Sequence, residues 1–344
     1  MQIRATRILH LVSNIRTSGA ERLIASINIA DCSPIYESTV LAFGFDEGFG
    51  KVLQQSGYGI HCLNASARSL VGLFRFGKFL TRNPHEVIHL HLEQNFLAVC
   101  FLARIICPQS RIVRTVHGLH EYQGLFRARR IIWTQISVKL LRVKWIVVSK
   151  NVERIEKKYI ANRIQLIENW PAGIPTNFQK GNLNHRSNES NLPSVRKYLL
   201  LGNCDINKNH FEILSRYKND SSVSILHLGD ISNMDSLEET LISSPNVKLL
   251  SGESFDAISS ADEVIVPSIL EASSMVVLES LLLHKPVHVR SSWGAIYSEF
   301  CETSESSISK DFLKLVRPKN YASFRKYYNK NRAISQYLGI YGRL

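Results

Sequence analysis

A chain of 344 residues, 44% hydrophobic and 21% charged, has the balance of a folded globular protein and excludes a disordered one. It is long enough for two domains with separate cores, and no apolar run approaches the roughly 20 residues that a membrane-spanning helix needs. The formal net charge of +13 is uneven: residues 1–175 hold 23 Lys and Arg against 11 Asp and Glu, whereas residues 176–344 hold 19 against 18. The first half therefore faces something anionic, and nucleic acid, an anionic membrane surface and a phosphorylated acceptor all qualify.

From the N-terminus, Met1 to Arg7 runs straight into a strand with no cleavage-type signal, so the chain is read as cytoplasmic. Short apolar strands then alternate with helical stripes, the pattern of a doubly wound α/β sheet. Strands are predicted at Ile8–Val12, Ser38–Ala42, Ile60–Leu63, Val87–Leu92, Arg111–Thr115 and Trp145–Ser149. Helices are predicted at Ala20–Ala30, Gly48–Gln55, Ser69–Asn83, Gln94–Ile106, Arg127–Leu141 and Asn151–Tyr159. The longest apolar run, Phe96–Ala103, is cut by Arg104 and reads as a buried helix.

Three features of this half could meet a ligand. The loop Ser13–Glu21 carries one glycine, Gly19, at a helix start, where backbone N–H groups can approach a phosphate; an ordinary strand-to-helix turn would look the same. His117, in Arg114-Thr-Val-His-Gly118, stands just past an apolar strand, well placed to hydrogen-bond a ligand. His89 and His91 alternate with apolar residues and point to one face. With no third ligand at useful spacing, a structural role is preferred there over a metal.

Around Asn169 the pattern changes. Gln165–Thr176 holds two prolines and a glycine, and Asn177–Lys197 is polar, a linker composition. The chain is accordingly divided into a domain over 1–175, a linker over 176–197, a second α/β domain over 198–320 and a helical tail over 321–344. Strands of the second series are predicted at Tyr198–Gly202, Ser222–Leu228, Val247–Leu250, Glu263–Pro267 and Pro286–Val289. Its helices are predicted at Asn207–Tyr217, Met234–Ser243, Ser254–Ala261, Met275–Leu283 and Ser292–Cys301. Two such halves would create a cleft, a common place for a ligand.

In this second half, Lys208 lies in the loop after the first strand, where a lysine can act as a point charge for a phosphate or simply be an exposed loop residue. Glu271 and Glu279 stand eight residues apart on a strand–loop–helix unit. Glu279 falls within an otherwise apolar helix, where a carboxylate needs a partner; Glu271 has the simpler reading of an acid favoured at a helix N-terminus. Loops at the carboxyl ends of parallel strands are where open α/β sheets bind ligands. The six cysteines, Cys32, Cys62, Cys100, Cys107, Cys204 and Cys301, never stand at C-x-x-C spacing, so they read as reduced thiols rather than a disulfide framework or zinc site. No P-loop, G-x-S-x-G elbow, H-E-x-x-H, kinase set or G-x-G-x-x-G fingerprint is present.

Taken together, the segments resemble a retaining GT-B glycosyltransferase of the glycosyltransferase family 4 kind. Thr17-Ser-Gly-Ala-Glu-Arg22 is similar to that family's G-G-A-E-R loop, with Ser18 at the first glycine. Val113-Arg-Thr-Val-His-Gly118, Val147-Val-Ser-Lys150 and Glu168-Asn-Trp-Pro-Ala-Gly-Ile174 resemble its strand-and-histidine, V-S and N-G-I stretches. Leu201-Gly-Asn-Cys-Asp-Ile-Asn-Lys-Asn-His210 resembles G-R-L-x-x-x-K-N. Ala261-Asp, Val266-Pro-Ser and Glu271 to Glu279 resemble the A-D-V-x-V-x-P-S-x-x-E-G-F-x-x-x-x-L-E-A segment, the most specific of the set.

The resemblance implies two Rossmann-like doubly wound domains facing a cleft, the acceptor bound mainly by the first and a nucleotide-sugar donor, UDP- or GDP-linked, mainly by the second. It implies no metal and no cofactor. Glu279 would take the ribose hydroxyls, Glu271 the donor sugar, and Lys208 the diphosphate leaving group, aided by amides near Gly19 and Ala272–Ser273; His117 would hydrogen-bond the transferred sugar. The expected product is a surface glycan, such as a bacterial capsule, O-antigen or lipopolysaccharide, built on a glycan or lipid-diphosphate-linked acceptor. The basic stretch Arg127–Arg163 suits peripheral contact with the inner face of an anionic membrane, and no nucleic-acid motif accompanies the charge. Two positions depart from the pattern. Asn203 stands where an arginine is expected, and Ala272-Ser273 replaces Gly-Phe. The alternative reading is a weak or inactive GT-B scaffold or subunit.

Overall fold

The computed structural model describes residues 5–27, 36–119, 124–160, 164–172, 195–231, 242–294, 297–309 and 312–342. The chain divides into two compact units, Met1–Trp170 with Lys330–Leu344, and Pro171–Asn329. The predicted helix Met234–Ser243 and the linker over 176–197 fall almost wholly outside the described residues.

The first unit is built on β1 (Thr6–Val12), β2 (Tyr36–Ala42), β3 (Gly59–Cys62), β4 (Val87–Leu90), β5 (Arg111–Val116), β6 (Lys144–Val147) and β7 (Ile164–Leu166). Their order is β3-β2-β1-β4-β5-β6-β7, and every pairing is parallel. Parallel strands covered on both faces need continuous apolar runs, and Ile8, Leu9, Leu11, Val40, Leu41 and Ile88 are completely buried. Strand β7 escapes prediction because it has three residues, Ile-Gln-Leu, too few to show a period. The helix predicted over Arg127–Leu141 is an α-helix at Gly124–Gln135 that widens into a π-helical turn at Ile136–Leu140.

Two arginines are absorbed by this core. Arg114 is fully buried between the rings of Phe96 and Trp145, 4.0 and 4.4 Å from their centroids, and pairs with Glu93 at 2.7 Å. Arg130 pairs with Glu156 at 3.0 Å, both nearly inaccessible, which takes Arg130 out of the basic surface read from the sequence. The C-terminal region splits. Helix Tyr321–Tyr327 packs in the second unit through Phe324, while helix Lys330–Tyr341 packs in the first. There Tyr341 Oη meets His89 Nδ1 at 2.7 Å, and the Arg111 guanidinium donates to the Tyr341 carbonyl.

The second unit contains β8 (Arg196–Leu201), β9 (Val223–Leu228), β10 (Val247–Leu249), β11 (Glu263–Val266), β12 (Val287–Arg290), β13 (Cys301–Glu305) and β14 (Leu313–Pro318), ordered β10-β9-β8-β11-β12-β14-β13. The first five are parallel; β12–β14 and β13–β14 are antiparallel. The antiparallel pair corrects the predicted helix Ser292–Cys301: among the described residues of that stretch the α-helix is confined to Ser291–Gly294, and Cys301 opens β13. Strand β13, Cys-Glu-Thr-Ser-Glu, is exposed along four of its five residues, so it carries no apolar run to betray it.

The buried Arg130–Glu156 pair makes a stability prediction. Arg130→Ala leaves a buried carboxylate without its cation and is expected to cost about 3–5 kcal/mol in denaturant unfolding, whereas Arg130→Met with Glu156→Leu recovers most of that loss. A cost below about 1 kcal/mol for the single variant contradicts the pair's placement.

Candidate functional site

In the second unit the chain leaves β8 outward to β9 and β10 and returns on the other side at β11, so β8 and β11 are neighbours at a topological switch point. The loops leaving their carboxyl ends are held together there, the place where open α/β sheets take ligands. Asn207 makes the joint: its side-chain NH₂ donates to the Leu270 carbonyl at 3.1 Å, and its side-chain oxygen accepts from the Leu270 N–H at 3.0 Å. The Asn207 carbonyl also accepts from the Ile269 N–H at 2.7 Å. Beside this joint, Lys208 Nζ donates to Glu271 Oε1 at 2.7 Å, with the lysine side chain 29% exposed and the glutamate 11%. Two groups proposed from sequence for separate tasks thus form one ion pair, 63 residues apart in the chain.

The surrounding residues explain the geometry. Gly202 has φ +131°, a conformation that side chains rarely adopt, and its open face lies along the Lys208 alkyl chain. Asn203 is exposed, and its side-chain oxygen accepts from the Asp230 N–H at 3.2 Å, joining the loops after β8 and β9. Ala272 and Ser273 lie half-buried just ahead of Ser274 and the helix Met275–Leu282. The Ser274 N–H donates to Tyr297 Oη at 3.1 Å, and the Trp293 indole N–H donates to the Ser268 carbonyl at 2.7 Å, which fixes the loop from below. Glu279 is 1% exposed, and the Ser254 hydroxyl donates to its Oε2 at 3.4 Å. That contact supplies a partner of the kind its apolar helix demands.

In the first unit the switch point lies between β1 and β4, and it is occupied by histidines. The register sets His10 of β1 beside His89 of β4. His10 Nδ1 lies 3.2 Å from His91 Nε2, and His91 Nδ1 lies 2.9 Å from His117 Nε2. His89 is engaged on both nitrogens, by Thr115 Oγ1 and Tyr341 Oη, each at 2.7 Å. His10, His89 and His91 could each offer an atom to one ion, yet both nitrogens of His89 and of His91 already have hydrogen-bond partners, so the row reads as a hydrogen-bonded relay. Sequence reasoning missed His10, because which strand pairs with which, and in what register, is not written in local spacing.

Burial holds these rings neutral. It lowers His10 to about 3, with His85 adding to the shift, and pushes His89 and His91 well below 6.5. Burial likewise brings His117 to about 4, with Glu93 opposing and Arg114 assisting. With one proton per ring, the hydrogen bonds can run in either direction along the relay. His10 Nε2 is buried without a partner, and a stranded N–H is less tolerable there than a bare acceptor. The protons therefore point from His10 through His91 to His117, which leaves His117 protonated on Nδ1. Gly19 opens the helix Gly19–Ser26 after β1; Ser18 caps it in extended conformation and donates its hydroxyl to the buried Glu21 carboxylate. Gly19 and His117 thus belong to the first unit, and Asn203, Lys208, Glu271, Ala272, Ser273 and Glu279 to the second.

No family model matches the chain, and no curated protein matches it by sequence. Solved structures do match. A glycosyltransferase from Rickettsia africae ESF-5 is 14% identical, with 98% of each chain covered and a TM-score of 0.71. Alr3699/HepE from Anabaena, solved in complex with UDP-glucose, is 14% identical over 97% of this chain and 92% of its own, with a TM-score of 0.66. WaaG, a glycosyltransferase involved in lipopolysaccharide biosynthesis, is 13% identical over 96% and 91%, with a TM-score of 0.57. At these identities the likeness establishes the fold: two Rossmann-like α/β units of the GT-B type.

The neutral histidine row predicts acid sensitivity. His10 and His117 titrate at about 3 and about 4 in the folded protein, against 6.5 for a free imidazole, so the unfolded chain binds protons first. Stability from this row is full above about pH 6.5 and is lost as pH falls below it, by about 1.4 kcal/mol per pH unit for each such ring. Urea unfolding at pH 7.5 and 5.5 should show the drop, and His10→Asn should reduce it; a pH-independent unfolding free energy contradicts the assignment.

Proposed function

We propose that the chain is a glycosyltransferase that moves a sugar from a nucleotide-sugar donor to a glycan or lipid-linked acceptor with retention of configuration. The observation that carries this reading is Lys208, held by Glu271 at the β8–β11 switch point of a GT-B chain. Breaking the glycosidic bond of such a donor builds negative charge on the departing diphosphate. A fixed cation stabilises that charge more in the transition state than in the ground state. Lys208 fills this role, and the N–H groups at the start of helix Met275–Leu282, beside Ala272 and Ser273, add a helix N-terminus for a phosphate. The charge on Lys208 does the work assigned to a metal elsewhere, so the reading asks for no metal at the diphosphate.

Each remaining residue has a task in this scheme. Glu271 can accept from donor-sugar hydroxyls while it orients Lys208. Glu279, whose carboxylate would accept from both ribose hydroxyls, selects a nucleoside. His117 presents Nδ1–H to an oxygen of the transferred sugar, and Gly19 offers backbone to a phosphate. Asn203 contributes a neutral amide where a second cation would act, which leaves Lys208 with the larger share. Support for a UDP-sugar comes from HepE, whose structure holds UDP-glucose, and support for a surface-polysaccharide pathway comes from WaaG.

The acceptor side bears on location. Residues 66–83, 94–110 and 124–145 contain no Asp or Glu, but include Arg68, Arg75, Lys78, Arg127, Arg129 and Lys139. The helices there expose Leu70, Phe74, Phe101, Ile105, Leu125 and Leu140 and enclose an apolar groove of about 710 Å³. Segments that expose apolar side chains and cations but no acid suit the inner face of an anionic membrane and the lipid tail of an acceptor. No helix among the described residues is long and apolar enough to cross one.

Calorimetric titration with UDP, GDP and their sugars, followed by a donor-hydrolysis assay, tests the enzyme reading. Lys208→Ala is expected to lower turnover by about 10²–10³, and Glu279→Ala to weaken nucleotide binding. No binding at millimolar nucleotide sinks the proposal and favours a scaffold. For the membrane claim, Arg127→Glu with Arg129→Glu and Lys139→Glu should abolish sedimentation with anionic vesicles; unchanged sedimentation removes it.

A further inference from the structure

Beneath the Lys208 loop lies a second cluster that the proposed reaction does not use. Cys204 Sγ stands 3.2 Å from His227 Nε2 and 3.6 Å from His210 Nδ1, and the two nitrogens are 3.2 Å apart. All three residues are buried, at 0%, 1% and 2% exposure. A tetrahedral zinc ion, with Zn–S of about 2.3 Å and Zn–N of about 2.0–2.1 Å, sets its sulfur and nitrogen ligands about 3.3–3.6 Å apart. The three atoms match three corners of that tetrahedron within a few tenths of an ångström.

The fold brings them together from places that no local motif links. Cys204 lies in the loop after β8, His210 is the first residue of the helix His210–Arg216, and His227 sits on β9. Asn209 ahead of the helix takes φ 53°, which turns His210 inward. Gly229 has φ +156°, and a Cβ there would lie 2.1 Å from the Gly202 carbonyl oxygen, so only glycine lets the two loops meet. The Cys204 N–H then donates to the Asp230 carbonyl at 2.8 Å, seating the thiol over His227. Burial keeps both imidazoles neutral, His210 at about 3 with His227 and Lys208 adding to the shift, and His227 at about 4.

We propose that Cys204, His210 and His227 bind one thiophilic divalent ion of the zinc type through Sγ, Nδ1 and Nε2. Binding replaces the thiol proton, which leaves to solvent, by the metal–sulfur bond. A thiolate with two neutral imidazoles is the borderline-soft donor set that zinc prefers over magnesium or calcium. The ion ties the loop after β8 to β9 and so braces the backbone that carries Lys208. Three protein ligands rather than four, and a His227 Nδ1 with no protein acceptor, set the affinity below that of a closed four-ligand site. The binding claim is independent of the glycosyltransferase reading; only the consequence for Lys208 rests on it.

Cobalt is the probe. The full chain, stripped by chelator under a non-thiol reductant, is titrated with Co²⁺ and then with Zn²⁺. The expected result is one equivalent bound, a thiolate-to-cobalt charge-transfer band, and its loss as zinc displaces cobalt. Cys204→Ser should remove the band and weaken binding at least tenfold, His227→Gln should weaken binding to a similar extent, and Cys62→Ser should change neither. Zinc should also raise the wild-type thermal midpoint, a readout that needs no variant to fold. Absence of uptake by the wild type, or a band that survives Cys204→Ser, overturns the proposal and leaves a hydrogen-bonded triad. None of these readouts involves a nucleotide, so failure here and failure of the proposed activity are told apart.

Discussion

One ion pair, Lys208 to Glu271 at 2.7 Å, rests on the strand order of the second unit and on the joint between two of its loops. It exists because β8 and β11 are adjacent although the chain travels through β9 and β10 between them. A lysine on one loop and a carboxylate on the other meet only where that reversal of direction leaves two carboxyl-end loops side by side. The Asn207 bridge and the Trp293 anchor then hold the loops, so Lys208 stands in place before any ligand arrives. Preorganisation of this kind is what makes a fixed charge worth more to a developing anion than a mobile one in water.

The first unit is built on the same switch-point logic with different chemistry. Its carboxyl edge holds neutral histidines in place of an ion pair, and the relay from His10 through His91 sets the proton on His117. The cost is acid sensitivity, since burial that keeps the rings neutral also makes the folded state a poor proton acceptor. Arg114, enclosed by Phe96 and Trp145 and paired with Glu93, also donates to the Leu92 carbonyl and so ties the loop after β4 to the core beside this row.

Much of the fold was legible because parallel strands buried on both faces must be written as apolar runs. β1, β2, β5, β9 and β11 are found within about two residues of their predicted positions. Three strands escaped prediction: β7 is three residues long, β13 is almost wholly exposed, and β14, Leu-Lys-Leu-Val-Arg-Pro, interrupts its apolar residues with Lys314 and Arg317. Individual candidate residues were legible by type and by position after a strand, as with Lys208, Glu271 and His117. Their partners were not. Nothing local links Cys204 to His227, or His10 to His91, because strand order and register decide those contacts. Arg130 shows the converse: it reads as surface charge, yet the packing around Glu156 buries it.

The proposed binding of a nucleotide sugar is at the two loops joined by Lys208 and Glu271. Backbone hydrogen–deuterium exchange of the full chain, with and without saturating UDP- or GDP-sugar, tests it most directly. Slowed exchange is expected over residues 202–209 and 267–274 and at the start of helix Met275–Leu282, with the effect reduced in Lys208→Ala. Unchanged exchange in those loops at a nucleotide concentration that protects another region would contradict it.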